Sequence, residues 1–108
     1  MDRMITWATN YIEKLLAGQT IEFRPRGNSM TPIIESEDLV VLAPITEDTK
    51  LQKNNVVLCK VKGKHYLHLI TGVEKENRYQ ISNNHNFVNG WINKAAIFGV
   101  LIENKRKS

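Results

Sequence analysis

Apolar residues recur on two different periods along this chain, and the change falls at Gly18. From Asp2 to Ala17 the spacing is helical: Ile5, Ala8, Ile12 and Leu15 form a stripe that Met4, Tyr11 and Leu16 widen. Thr9, Glu13 and Lys14 fall on the water-facing side, and Gly18 suits a left-handed cap. The pattern predicts one amphipathic helix packed on the rest of the domain.

Beyond Gly18 the pattern predicts strands. Thr20–Phe23 is short, and Leu39–Leu42 leads past Pro44 into a polar loop from Thr46 to Asn54. Val56–Val61 is apolar enough to be buried on both faces. The tight turn Lys62-Gly63-Lys64 should return His65–Ile70 as a hairpin partner. Gly72–Glu74 then leads through the turn Lys75-Glu76-Asn77 to Arg78–Ser82. The segment from Ser82 to Gly90, rich in Asn, reads as a loop. Asn93–Ala96 suits a single helical turn and Ile97–Ile102 a closing strand. The expected fold is mainly β (β-rich α+β): a helix over 1–18, a small, mostly antiparallel β domain over 19–103, and a basic tail over 104–108.

Composition narrows the classes. With 108 residues, 42% hydrophobic and 24% charged, the chain suits one ordinary globular domain and excludes wholesale disorder and low-complexity character. One cysteine, Cys59, cannot form an internal disulfide, and its apolar neighbours suggest an inert buried thiol. No Cys/His spacing resembles a zinc site, and no cofactor is expected. The missing disulfide favours a reducing, cytoplasmic setting. No apolar run approaches the roughly 20 residues that span a bilayer, and the N-terminus does not resemble a signal peptide. The net charge of +4 is compatible with nucleic acid, but Lys105, Arg106 and Lys107 place part of it in a tail expected to be solvated. Trp7 and Trp91 are expected to serve in core or rim packing.

The segment Arg26-Gly27-Asn28-Ser29-Met30-Thr31-Pro32-Ile33-Ile34 carries the chemistry. Gly27 permits a sharp bend, Pro32 stops a helix, and Met30 can anchor the loop in apolar surroundings. Ser29 would then be presented on rigid backbone with amides free to receive an oxyanion. An ordinary turn, with Ser29 bonded to its own backbone, accounts for the same residues. Arg24 and Arg26 flank Pro25 and could bind phosphate or an acidic substrate group, or simply be solvated.

The pattern Gly27-x-Ser29-Met30-x-Pro32, followed by Glu37-Asp38-Leu39-Val40-Val41, resembles the nucleophile box of the signal-peptidase and SOS-repressor superfamily of serine peptidases. Asn54-Asn55-Val56-Val57-Leu58 stands where that superfamily usually has Gly-Asp before a strand. Tyr66-Leu67-His68-Leu69-Ile70 stands where it places its general base, so the resemblance spans about Phe23 to Ile102. The base is a lysine in bacterial signal peptidases and self-cleaving repressors, and a histidine in the archaeal and endoplasmic-reticulum enzymes. The resemblance thus implies His68 as base, and a neutral imidazole can take the Ser29 proton at neutral pH. Strand alternation puts Tyr66, His68 and Ile70 on one face and His65 on the other, while Lys60, Lys62 and Lys64 lie by the hairpin turn.

The histidine-type relatives orient the imidazole with an aspartate in a Gly-Asp-Asn-type loop. The corresponding stretch here, Ile81–Gly90, holds no carboxylate, which leaves Asn83, Asn84 or Asn89 to serve, or a bare Ser-His dyad. Glu37 replaces a glycine and tolerates left-handed backbone poorly, so that turn is expected to be rebuilt. Lacking room for a helix-turn-helix domain and lacking an anchor, the chain is expected to be a soluble stand-alone domain, as in compact phage-like relatives.

The resemblance implies a serine endopeptidase acting on its own chain or a partner protein. Ser29 would be the nucleophile and His68 the base, with the amides of Ser29 and Met30 as oxyanion donors and Arg26, Asn28 and Pro32 touching substrate. A catalytically silent regulatory or protein-binding module on the same fold is the alternative, and nucleic-acid binding through the net charge a third reading.

Overall fold

The computed structural model describes residues 6–75 and 77–106. Its elements are helix α1 (Thr9–Leu16) and strands β1 (Ile21–Phe23), β2 (Leu39–Pro44), β3 (Val56–Val61), β4 (Lys64–Glu74), β5 (Arg78–Ser82), β6 (Val88–Asn93) and β7 (Ile97–Lys105). A 3₁₀ turn, Lys94–Ala96, precedes β7. The strands form one 7-stranded sheet in the order β1-β2-β7-β3-β4-β5-β6. Each neighbouring pair is antiparallel. This is the mainly antiparallel β fold with an N-terminal helix that the pattern predicts.

The predicted helix is shorter in the structure. Residues 2–5, with Met4 and Ile5, lie outside the described part, and Thr6 bonds back through its amide to Thr9 Oγ1 at 2.9 Å ahead of the first turn. At the other end Gly18 adopts φ +84°, and paired bonds from Gly18 N to Leu15 O and Gln19 N to Lys14 O close the helix. Ala8, Ile12 and Leu15 are buried, whereas Leu16 is 73% exposed. So short a helix buries only a narrow stripe, and Leu16 lies outside it.

Two apolar layers sandwich the centre of the sheet. The α1 residues pack with Phe23, Val40, Leu42 and Leu58, joined by Met30 and Ile34 from the loop after β1. On the other face Val57, Cys59, Ile70, Tyr79, Ile81 and Ile97 form a second cluster. β3 feeds both layers by alternation, so it is buried on both faces. Fully buried side chains such as Leu42 and Leu58 each contribute about 1.5–3 kcal/mol of hydrophobic stabilisation.

The β3–β4 turn has Lys62 at φ 50° and Gly63 at φ 84°, the doubly left-handed geometry that matches strand twist in a two-residue hairpin. Three features depart from the sequence pattern. β4 is one strand of 11 residues rather than two pieces, because a bulge between Ile70 and Gly72 absorbs Thr71 without ending the pairing. β6 begins at Val88, inside the stretch read as a loop; it is an edge strand whose polar side chains hide its period. β7 runs on to Lys105, which pairs with Leu39, so this end of the chain is not the detached tail expected from its charge. Lys107 lies outside the described residues.

Candidate active site

The serine lies on the long connection between β1 and β2. Gly27, at φ +104°, supplies the bend, and Ser29 is exposed while its neighbour Met30 is buried in the helix-side layer. Bonds from Thr31 N to Asn28 O (3.2 Å) and from Ile34 N to Met30 O (2.9 Å) tighten the turn around it, with Thr31–Pro32 a cis peptide. The two ends of the connection are tied together: Glu37 N donates to Pro25 O at 2.8 Å, and Arg24 donates to Glu37 O at 2.8 Å.

Glu37 itself takes the left-handed backbone that glutamate tolerates poorly, at φ 70°. A left-handed residue with a side chain costs roughly 1–2 kcal/mol, and the two bonds at Glu37 offset it. Asp38, 1% exposed, adds an acceptor for Glu35 N at 2.9 Å. Asn54 likewise takes left-handed backbone, at φ 79°.

Arg106 and Asn104, from the end of β7, hold the same connection from outside. Arg106 donates to Pro32 O at 3.2 Å and pairs with Asp38 at 3.4 Å, and Asn104 donates to Ile33 O at 2.9 Å. Arg106 is therefore engaged, where its charge run suggested a solvated residue. The sequence offered no signal for this, since the partners, two backbone carbonyls and a carboxylate among them, lie about 70 positions away.

His68 comes from the middle of β4 and is buried. Its ring stacks on Tyr66 at 4.8 Å between centroids, and Nδ1 lies 2.7 Å from Asn89 Oδ1 on β6. An amide oxygen only accepts, so Nδ1 carries the proton and Nε2 keeps its lone pair. Burial pushes the His68 pKa below the usual histidine value, and the Asn89 bond opposes that shift in part. His68 is thereby neutral at physiological pH.

Of the three asparagines considered, only Asn89 meets the imidazole. Asn83 Oδ1 accepts from His85 N (2.8 Å) and Phe87 N (3.0 Å), closing its own loop. Asn84 turns to the serine connection instead, donating from its amide N to Ser29 O at 3.0 Å and from Nδ2 to Thr31 O at 2.8 Å. His85 joins it, with Nε2 3.0 Å from Asn28 O.

A cavity of about 450 Å³ opens between the N-terminal segment, β1, the serine connection and β4. Ser29 and His68 both line it, as do Arg26, Met30 and His65. No hydrogen bond joins Ser29 to His68 among the described residues. Neither do the backbone N–H groups of Ser29 and Met30 have a protein acceptor among them. Asn28 and Pro32, expected to touch substrate, are not part of the cavity wall. The turn directs the Asn28 carbonyl toward His85 and that of Pro32 toward Arg106. His65 bonds through Nδ1 to Thr6 Oγ1 at 2.8 Å. Lys60, Lys62 and Lys64 are exposed and do not line the cavity. Cys59 is buried in β3.

A small antiparallel β domain carries Ser29 on a pinned turn and an anchored His68 on the lining of one cavity. The chain matches the Peptidase S24-like family over residues 2–102, and it belongs to that family. Among curated proteins, none matches it. No helix among the described residues is long and apolar enough to cross a membrane.

Proposed function

We propose that this protein is a serine endopeptidase in which Ser29 attacks a peptide carbonyl. His68 removes the hydroxyl proton through Nε2 and later returns it to the leaving amine. Asn89 fixes the tautomer and steadies the imidazolium in place of the usual carboxylate. The N–H groups of Ser29 and Met30 receive the oxyanion. What supports this reading is that an exposed Ser29 and a tautomer-fixed His68 both line one cavity. The free Ser29 and Met30 amides add to it. Catalytic hydrogen bonds often tighten only when substrate is bound, so a nucleophile and base not yet bonded to each other fit the scheme.

The decisive comparison is labelling by a fluorophosphonate probe in the wild type, Ser29→Ala and His68→Ala. The expected outcome is labelling of the wild type, none of Ser29→Ala, and strongly slowed labelling of His68→Ala. Equal behaviour of all three would sink the reading. It would favour instead a silent protein-binding module, which the neutral partner of His68 makes the second candidate.

A further inference from the structure

We propose that the cleft beside Ser29 selects an extended peptide bearing a bulky apolar side chain two residues from a carboxylate, with Trp7 as the apolar wall and Arg26 as the anion contact. The inference deepens the reading of the site as peptide-binding, and it rests on that reading but not on catalysis.

Three observations lead to it. The first is shape and lining. Trp7, Tyr11 and Phe23 form an aromatic cluster on the cavity wall, with Tyr11 stacked on Phe23 at 4.4 Å and Trp7 6.0 Å from Phe23. Trp7 is nevertheless 51% exposed, a large apolar surface left at the mouth of a cleft. A cavity of about 450 Å³ dwarfs the ~30 Å³ share of one water and falls in the ~300–1,000 Å³ range of ligand sites. A methyl side chain would leave most of it wet, whereas a leucine or an aromatic ring would cover Trp7.

The second is charge. Arg24 and Arg26 both reach the cavity wall, and the carboxylate that accompanies them there, Glu35, lies 3.7 Å from Arg106. Arg24 is held by its bond to the Glu37 carbonyl, while Arg26 makes no ion pair among the described residues. The wall therefore presents an uncommitted guanidinium within three residues of Ser29.

The third decides what kind of molecule carries these groups. β1, which contributes Phe23 to the wall, is an edge strand of the sheet. Its outer backbone groups offer an extended peptide the bonds of an added strand, and alternate side chains of such a strand reach different pockets. A peptide meets all three features at once; a free anion meets only the arginine.

The test uses the Ser29→Ala protein, so that binding is read without turnover. Fluorescein-labelled ten-residue peptides share one Gly/Ser frame and differ at a central pair of positions separated by one glycine, so that both side chains share a face: Leu-Glu, Leu-Lys, Ala-Glu or Ala-Lys. Fluorescence anisotropy at low salt should show Leu-Glu binding at least tenfold more tightly than the other three. Arg26→Glu, at an exposed position, should reverse the preference for Glu over Lys. Trp7→Ala should abolish the preference for Leu over Ala and leave the charge preference intact. Equal binding of all four peptides, no binding of any, or preferences unmoved by both variants would overturn the proposal. Cleavage is followed separately in the wild type. Selective binding without cleavage would refute the peptidase reading alone, and cleavage without the Leu-Glu preference would refute this inference alone.

Discussion

Replacing Asn89 with alanine removes the acceptor 2.7 Å from His68 Nδ1 and nothing else in the proposed machinery. His68 is buried, so its N–H would lose its partner in a place water reaches poorly, at a cost of roughly 1–3 kcal/mol of stability. The Tyr66 ring, 4.8 Å away, still limits how far the imidazole can swing, so the fold should persist with a lower melting temperature. Reactivity should fall further than stability alone implies. In the transition state the bond is made by a charged imidazolium, and bonds of that kind are worth about 1.5–3 kcal/mol. At 1.36 kcal/mol per decade this is a loss of roughly ten- to 150-fold in the rate of fluorophosphonate labelling. Asn89→Asp supplies the same acceptor with a charge. It should raise the His68 pKa, which burial now holds down, and move the acid limb of the labelling profile to higher pH. At pH 8 its rate should equal or exceed that of the wild type. Labelling rates measured from pH 5 to 9 decide the matter. An undiminished rate in Asn89→Ala, or an acid limb that moves to lower pH in Asn89→Asp, would refute the assignment of Asn89 as the group that orients His68.

Gly27→Ala should destabilise the protein by about 1–2 kcal/mol in urea titration although a Cβ there meets nothing within 4 Å, because the cost is the left-handed backbone at φ +104°. An unchanged midpoint would mean that the turn relaxes freely. Burial holds His68 below the usual histidine value, and His65 is lowered by burial and by Lys60. The unfolded chain then takes up protons first as the pH falls through about 6.5, so stability present at pH 7.5 should decline toward pH 5. His68→Gln should make that decline shallower, and an unaltered slope would remove His68 as a source of it. Cys59, whose thiol burial pushes up to about 12, should resist a thiol reagent such as dithionitrobenzoate at pH 8 until urea unfolds the domain. Prompt reaction in buffer would contradict its burial.

The elements that could be read from the chain are those whose side chains face an apolar layer. Ile12 and Leu15 mark α1, and Val56–Val61 marks a strand buried on both faces, because burial imposes a period. β6 escaped for the converse reason. It pairs on one side only, its Val88 and Trp91 are partly exposed, and its asparagines look like turn residues, although Asn93 pairs with Arg78 of β5. Glu37 shows the same limit in a turn: propensity argues against left-handed glutamate, and two long-range bonds outweigh it.

The site divides along the same line. Ser29 was legible because Gly27 and Pro32 shape the turn locally, and His68 because the family resemblance implies a base on its strand. What orients and holds the two comes from elsewhere in the chain. Asn89 meets His68 across 21 positions, Asn84 meets Thr31 across 53, and Arg106 meets Pro32 across 74. Each of these bonds ends on a backbone carbonyl or on a ring nitrogen whose neighbours are set by strand order, and strand order leaves no periodic trace in sequence. Asn83, Asn84 and Asn89 illustrate the consequence. They are chemically identical and close together, yet one closes its own turn, one braces the serine connection and one fixes the imidazole. Residue type alone gives all three the same capacity; Asn83 and Asn84 follow the end of β5, whereas Asn89 falls where the β5–β6 register shifts.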